Sequence, residues 1–423
     1  MHPKAVLDVC AQLLGRTLKF DAPTDAIVAR FFREHRGLGP RERATLTGTV
    51  YNVLRKKLLF DHCAPSGSGP KERRLAILGF HGPGDFLRSA LSEQEKSWLD
   101  ECEKLNVADL LERQRHNLPE WLVQPLKQQV GDEFWSLIEA LNQGAGLDLR
   151  VNTLRAKRPE VRKELVKFGI KAGITPYSPW GLRLADKPNL NQLESFKRGD
   201  FEVQDEGSQL LALLLDAKRG EMVTDFCAGA GGKTLAIGAA MRNTGRLYAF
   251  DTSAHRLEAL KPRLARSGLS NVHPAAIAHE RDERIKRLAG NMDRVLVDAP
   301  CSGLGTLRRN PDLKWRQTPQ MVTAQAQLQG AILQGAARLV KPGGRLVYAT
   351  CSLLAEENEA VAQAFSQANA GFSELDVGSI LSNLKVEDAA SLCRGGDNAL
   401  RYLRLWPHRH HTDGFFAAVW QRA

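Results

Sequence analysis

Two short segments carry the residues best suited to covalent chemistry: Asp298-Ala299-Pro300-Cys301-Ser302-Gly303 and Thr350-Cys351-Ser352. A thiolate is a strong nucleophile, and a nearby carboxyl group can give a proton to an electron-poor ring or take one back. Each segment closes an apolar run, residues 294–297 (RVLV) and 345–349 (RLVYA). Both runs are too short and too β-branched for helices and are bounded by turn signals, so they read as buried strands. In an open parallel sheet, ligands gather at the carboxyl ends of the strands, and this reading brings both cysteines and Asp298 to one edge.

The block upstream reads as a second contributor to that edge. Residues 222–226 form a strand, 227–232 (CAGAGG) a glycine turn, 233–241 a helix, and 246–250 a strand ending in Asp251. Strand, glycine turn, helix, strand and acid make a mononucleotide-binding βαβ unit, with Asp251 about 20 residues past the turn, where a carboxylate can accept ribose hydroxyls. That signal alone fits nicotinamide cofactors and S-adenosylmethionine alike. A phosphate-binding P-loop needs glycine where Cys227 stands, and a dinucleotide fingerprint on Gly229 and Gly231 needs one where Thr234 stands. A glycine turn without phosphate signatures suits the methionine end of S-adenosylmethionine. Asp225, Asp251 and Asp298 reaching one edge argues against a purely structural turn.

At 423 residues the chain has room for two or three domains, and its 59 Lys and Arg against 48 Asp and Glu give a net charge of +11. That surplus favours a polyanion, most often nucleic acid, over a merely soluble basic protein. Seven scattered cysteines include no Cys-x-x-Cys pair, and no leader or long apolar span is visible. A reducing cytoplasm, free thiols and no structural zinc are expected.

Residues 1–140 show helical periodicity, as in Ile27, Val28, Phe31 and Phe32, with Gly37-Leu38-Gly39-Pro40 as punctuation. Arg33, Arg36, Arg41, Arg43, Arg55, Lys56 and Lys57 make one side basic, as a solvated face or an RNA-facing one. From residue 118 an amphipathic helix runs to about 142. Residues 147–152 and 181–184 then alternate like strands around a helix at 159–168. This small α/β module has a basic edge in Arg150, Asn152, Arg155, Lys157 and Arg158 that could follow a phosphate backbone.

The segments 203–209 (VQDEGSQ), 225–234 (DFCAGAGGKT), 298–303 (DAPCSG) and 350–352 (TCS) resemble the RNA cytosine-C5 methyltransferase family. The likeness continues through 308–315 (RRNPDLKW), 341–344 (KPGG) and 412–416 (TDGFF), covering roughly residues 118–423 in the family's order. The first domain resembles, more weakly, the NusB-like domain of the bacterial 16S ribosomal RNA members. The resemblance implies an α/β fold: a Rossmann-like, doubly wound class I methyltransferase domain over 206–423, preceded by a helical NusB-like RNA-binding domain over 1–140 and a small α/β RNA-binding module over 141–205.

It also implies methyl transfer from S-adenosylmethionine to C5 of a cytosine in RNA, with 16S ribosomal RNA the first expectation. Transfer RNA or DNA would keep the chemistry with another partner, and a binding-only ribosome assembly factor would keep the basic surfaces without it. By the resemblance Cys351 is the nucleophile, Cys301 assists release of the methylated RNA, Asp298 serves N3 of the base, and Lys233 contacts the base or holds Asp298. The cofactor is expected on Asp225, Cys227, Ala228, Gly229, Ala230, Gly231, Gly232, Lys233, Asp251, Arg256, Asp298 and Pro300. RNA is expected on Arg150, Asn152, Arg308, Arg309, Lys314 and Trp315, the last four just beyond Cys301, and a monomer with neither metal nor membrane is expected.

The sequence departs from the family at two places. The usual turn is Cys-Ala-Ala-Pro-Gly-Gly-Lys, and Gly229 and Ala230 here imply a looser loop. After the strand near 272–277 the family usually carries an acid toward the adenine, whereas this chain has Ala278 and His279, with Asp282 beyond. Glu356, Glu357 and Glu359 read as first-turn acids of a helix, and His408, His410 and His411 as a solvent-exposed or RNA-facing cluster rather than a metal site.

Overall fold

The computed structural model describes residues 1–394 and 401–423. It divides into two units, Met1–Gly144 with Thr306–Thr318, and Ala145–Gly305 with Pro319–Ala423. Among the described residues no helix is long and apolar enough to cross a membrane.

The first unit is helical because apolar side chains recur at helical spacing. In the helix Pro3–Thr17 the buried positions are Val6, Leu7, Cys10, Leu13, Leu14 and Thr17, one stripe along one face. It packs with Thr24–Glu34 and Pro40–Arg55 around Phe31, Leu46, Val50 and Leu54. The Gly-Leu-Gly-Pro punctuation falls between these two helices, with Pro40 at the first helical turn. Where one long helix is expected from residue 118, two stand, Glu120–Val130 and Phe134–Leu141. Gly131, at φ +54°, breaks them.

The helical unit also contains a segment that the sequence reading leaves beside the cysteines. Helix ends carry backbone groups with no partner in their own helix. In the helix Pro40–Arg55 the carbonyl of Leu54 accepts the Trp315 indole N–H at 2.7 Å, and that of Arg55 accepts Lys314 Nζ at 2.9 Å. At the start of Thr24–Glu34, the N–H of Thr24 donates to Asp312 Oδ2 at 3.2 Å. Residues 306–318 thus cap two helices, and Lys314 is 3% exposed. Arg308 also works inside this unit: its carbonyl accepts from Arg55, and its guanidinium donates to the Gly144 carbonyl. The expectation that Lys314 faces RNA is corrected, because the side chain is buried with its ammonium on a helix end, and the Trp315 indole N–H is likewise used as a cap.

The second unit opens with four strands, β1 (Leu147–Val151), β2 (Ala172–Ile174), β3 (Gly181–Leu184) and β4 (Phe201–Val203). They form an antiparallel sheet in the order β2-β3-β1-β4, backed by the helix Arg158–Lys167. β1 is central, so its residues are enclosed on both edges. Arg150 and Asn152 are 2% and 3% exposed and do not offer an edge to RNA.

The larger sheet contains β5 (Met222–Asp225), β6 (Arg246–Asp251), β7 (Val272–Ala276), β8 (Met292–Asp298), β9 (Val340–Thr350), β10 (Phe372–Glu374), β11 (Cys393–Arg394), β12 (Tyr402–Leu405) and β13 (Phe415–Arg422). Its order is β11-β12-β13-β9-β8-β5-β6-β7, with β10 beside β13. Strands β7, β6, β5, β8 and β9 are parallel, and β13 enters antiparallel to β9. Apolar cores cover both faces, one around Leu210, Ile237 and Val347, the other around Val295, Tyr348 and Trp420. From β5 the chain winds outward to β7 and returns to β8 on the opposite side. The crevice at the carboxyl ends of β5 and β8 is therefore the topological switch point.

Trp315→Ala removes an indole that packs on the helical core and caps Leu54. We expect a loss of about 3 kcal/mol in the helical unit, read by urea unfolding with a probe in residues 1–144. An unchanged midpoint would show that the segment is not part of that fold.

Candidate active site

A cavity of about 710 Å³ opens at the switch point, and its walls come from the ends of β5, β6, β7, β8 and β9. The glycine turn forms one side. Gly229 and Gly231 have φ of +55° and +84°, and a Cβ on Gly231 would stand 2.0 Å from Leu260 Cδ1. The backbone therefore approaches the helix Ala254–Ser267 as closely as glycine allows. The loop is tied down despite its departure from the family pattern: Gly229 N–H donates to Asp251 Oδ2 at 2.8 Å, and Arg263 donates to the Ala230 carbonyl at 2.5 Å.

Asp251 also accepts from Ser253 N–H at 2.7 Å and lines the cavity with Arg256, at the end of β6. A carboxylate has about four acceptor sites, so two remain for hydroxyls of a bound nucleoside. Ile277, Leu328 and Ile332 supply apolar wall, and Glu280, not Asp282, is the acid after β7 that reaches it. Asp282 is turned back to accept the N–H of Ala278 at 2.9 Å.

Asp225 lies beneath the turn. Its Oδ2 accepts the Thr234 hydroxyl at 2.6 Å, while Oδ1 is buried without a hydrogen-bond partner. Burial pushes its pKa up to about 7, against the Thr234 hydrogen bond. Asp225 itself does not line the cavity; the ribose-ready Asp251 and the apolar wall fit an adenosine cofactor such as S-adenosylmethionine.

On the other side of the cavity stand the reactive groups. Cys301 Sγ and Cys351 Sγ are 3.4 Å apart, and Lys233 Nζ donates to Asp298 Oδ2 at 2.6 Å. All four line the same cavity, as do Cys227, Ala228, Gly232 and Pro300. Burial opposes charge on Lys233, but Asp298, Cys351 and Asp225 outweigh it and hold the ammonium above the ordinary lysine range. The hydrogen bond to Cys351, then burial, then the charges of Cys351 and Glu357 hold the Cys301 thiol well above the ordinary range.

The loops carrying the thiols are held by residues to which the sequence reading gives no role. Glu357, fully buried, accepts from Ser302 N–H at 2.8 Å, from the hydroxyls of Ser302 and Ser352 at 2.5 Å each, and from Gln329 Nε2 at 3.0 Å. It is not an exposed first-turn acid. Gly305 adds a close approach: its N–H donates to the Cys351 carbonyl at 2.8 Å, and a Cβ there would meet Gly414 O at 2.1 Å. Gln204 and Ser208, both within the motif at 203–209, also line the cavity.

Arg150 and Asn152 brace this site from the small module. Arg150 Nε donates to Gln204 Oε1 at 2.6 Å, and Asn152 Nδ2 donates to the carbonyls of Gly199 and Ser267 at 3.0 Å each. Burial brings the Arg150 guanidinium down to about 10. In the histidine cluster, His410 is buried, accepting from Trp406 N–H at 2.9 Å, and is not solvent-exposed. No group of metal-ligating side chains occurs among the described residues.

Parallel strands with an antiparallel β13 inserted beside β9, and a cofactor-sized cavity at the switch point, define a class I methyltransferase. Residues 212–421 match the family described as 16S rRNA methyltransferase RsmB/F, and residues 118–191 match the ferredoxin-like domain of RsmF/B-like methyltransferases. The chain is 32% identical to the probable ribosomal RNA small subunit methyltransferase B of Synechocystis sp., covering 95% of this chain and 96% of that protein. The crystal structure of PH0851 superposes with a TM-score of 0.80 at 27% identity, covering 100% of this chain and 99% of that one. A methyltransferase homolog protein from Pyrococcus horikoshii superposes with a TM-score of 0.64 at 29% identity, over 75% of this chain and 100% of that one. The chain belongs to the RsmB/F family of 16S rRNA methyltransferases and is an S-adenosylmethionine-dependent RNA methyltransferase.

The folded chain holds the Asp225 proton up to about pH 7, whereas an ordinary aspartate releases it near 3.8. Folding stability therefore falls as pH rises through that window. In cofactor-free protein, Asp225→Asn should lack this fall and gain on wild type, reaching an advantage of about 2–4 kcal/mol at pH 8 by urea unfolding. Parallel pH profiles would count against the raised pKa.

Proposed function

We propose that this enzyme methylates C5 of a cytosine in small-subunit ribosomal RNA through a covalent adduct between Cys351 and C6 of the base. The observation that carries the reading is the pair of thiols in contact, with Asp298 and Lys233 lining the same cavity. The relatives, named as ribosomal RNA small subunit methyltransferases, support ribosomal RNA as the substrate class.

Cytosine C5 is too weak a nucleophile to take a methyl group directly. Addition of the Cys351 thiolate to C6 forms the S–C6 bond and moves the C5=C6 electron pair toward C5, which becomes enamine-like. Asp298 keeps Oδ2 in the salt bridge with Lys233, leaving Oδ1 to exchange a proton or hydrogen bond with N3 as charge builds there and leaves. S-adenosylmethionine, held by the glycine turn, Asp251, Arg256 and the apolar wall, supplies the electrophilic methyl group.

Release needs the C5 proton removed and the S–C6 bond broken. While Cys351 is free, its hydrogen bond and charge hold the Cys301 proton in place. Once Cys351 is bonded to carbon that charge is gone, and the Cys301 thiol gives its proton to solvent more readily. Its thiolate takes the C5 proton as the S–C6 bond breaks and Cys351 leaves as thiolate. The pair therefore orders the two half-reactions: Cys301 stays protonated during attack and takes part only after the adduct exists.

The test is transfer from labelled cofactor to protein-free total RNA, with wild type beside Cys351→Ala and Cys301→Ala. We expect label in 5-methylcytosine of 16S ribosomal RNA, a loss of at least about 10³-fold with Cys351→Ala, and a stalled protein–RNA adduct with Cys301→Ala. Label in transfer RNA or DNA would change the substrate. An active Cys351→Ala variant would sink the covalent mechanism.

A further inference from the structure

Glu357 touches neither thiol, yet the donors it engages sit beside both. Its Oε1 takes Ser302 N–H and Gln329 Nε2, and its Oε2 takes the hydroxyls of Ser302 and Ser352, which are themselves 3.2 Å apart. Ser302 follows Cys301, and Ser352 follows Cys351. Gln329 also donates to the Pro300 carbonyl at 2.9 Å, so Cys301 is gripped on both sides. Asn358 does the same for Cys351, donating to the Ser352 carbonyl at 3.0 Å and accepting the Thr350 hydroxyl at 2.5 Å. Tyr348 on β9 anchors this corner by donating to the Glu357 carbonyl at 2.5 Å.

We propose that Glu357 is a positioning residue for the transfer reaction: its carboxylate locks the loop after β8 to the loop after β9 and thereby sets the two thiols in contact. This rests on the reading of the cysteine pair given above and adds how the pair is held. A carboxylate suits the task because it is acceptor-only and can take four donors at once. Glutamine can take over the geometry without the charge. Its carbonyl keeps Ser302 N–H and Gln329, while its amide donates to the two serine hydroxyls, which turn to accept. Alanine removes the acceptor these four donors share and leaves the loops joined by the contacts Gly305–Cys351 and Ser302–Ser352 alone.

The distance between the thiols can be read without RNA or cofactor turnover. Diamide converts two thiols to one disulfide, its N=N bond taking up the two protons and two electrons to become a hydrazine. Peptide mapping of the full-length protein then separates the Cys301–Cys351 product from the other cysteines. We expect wild type and Glu357→Gln to form that disulfide at rates within about threefold of each other, and Glu357→Ala to be slowed at least about tenfold. Methyl transfer by Glu357→Ala should lose kcat by at least about tenfold, with KM for the cofactor within about twofold.

Cofactor binding by Glu357→Ala shows that the variant is folded. If it fails to bind, the double variant Ser302→Ala with Ser352→Ala, which removes both hydroxyl donors to Oε2 and leaves the Ser302 N–H bond, is read against the same tenfold threshold. Disulfide formation at the wild-type rate in a folded alanine variant would overturn the proposal, as would a glutamine variant as slow as alanine. If no variant makes 5-methylcytosine but the disulfide rates order as expected, the reaction assigned above fails and the positioning role stands.

Discussion

Taking a carboxylate out of water is costly unless its lone pairs are occupied, and Glu357 meets that condition with donors from three separate elements. The requirement acts in both directions. The carboxylate can be buried only if the loops after β8 and β9 and the helix Pro319–Ala337 supply their donors together, and it ties those loops to one another beside the bond from Gly305 N–H to the Cys351 carbonyl. The reactive edge of the sheet is thus organised by an interaction lying one layer beneath it. A similar layer supports the cofactor side, where Asp251 holds Gly229, Arg263 holds Ala230, and the buried Arg150 fixes Gln204.

The cavity is electrostatically asymmetric. Asp225, Asp251 and Asp298 cluster at the ends of three strands, with Lys233 paired to one of them. Carboxylates held near one another in a poorly hydrated site raise each other's affinity for protons and for cations. The negative field of these groups, which adds to burial in raising the Asp225 pKa, favours a ligand carrying sulfonium and ammonium charge. Net positive charge of +11 over the whole chain suits the other substrate, a polyanion. The cavity is acidic, and the chain is basic in aggregate.

What was legible in the sequence was local. The runs ending in Asp225, Asp251, Asp298 and Thr350 are strands, and the glycine turn and both cysteines fall where the motif grammar puts them. What was not legible depends on pairing between distant segments. Arg150 looks like an exposed basic residue until β3 and β4 close over both edges of β1, and β4 itself, three residues long, is too short to show alternation. Glu357 looks like a helix-start acid until β8 and β9 are neighbours. Trp315 and Lys314 look like RNA contacts because they follow the cysteine motif, yet their partners, the carbonyls of Leu54 and Arg55, lie about 260 residues earlier. No periodicity carries information across such a span.

The capping segment at 306–318 has a consequence for modularity. Because it folds with the helical unit while its flanks belong to the other, the chain passes between the two units three times, after residues 144, 305 and 318. The helical unit is therefore not a bead threaded ahead of an enzyme. A fragment ending at residue 144 would leave the ends of two helices uncapped, and an enzyme trimmed of its first 144 residues would carry a tryptophan-bearing loop with no fold to enter. Exchange of this domain by simple fusion, in evolution or in the laboratory, would have to move two stretches of sequence at once.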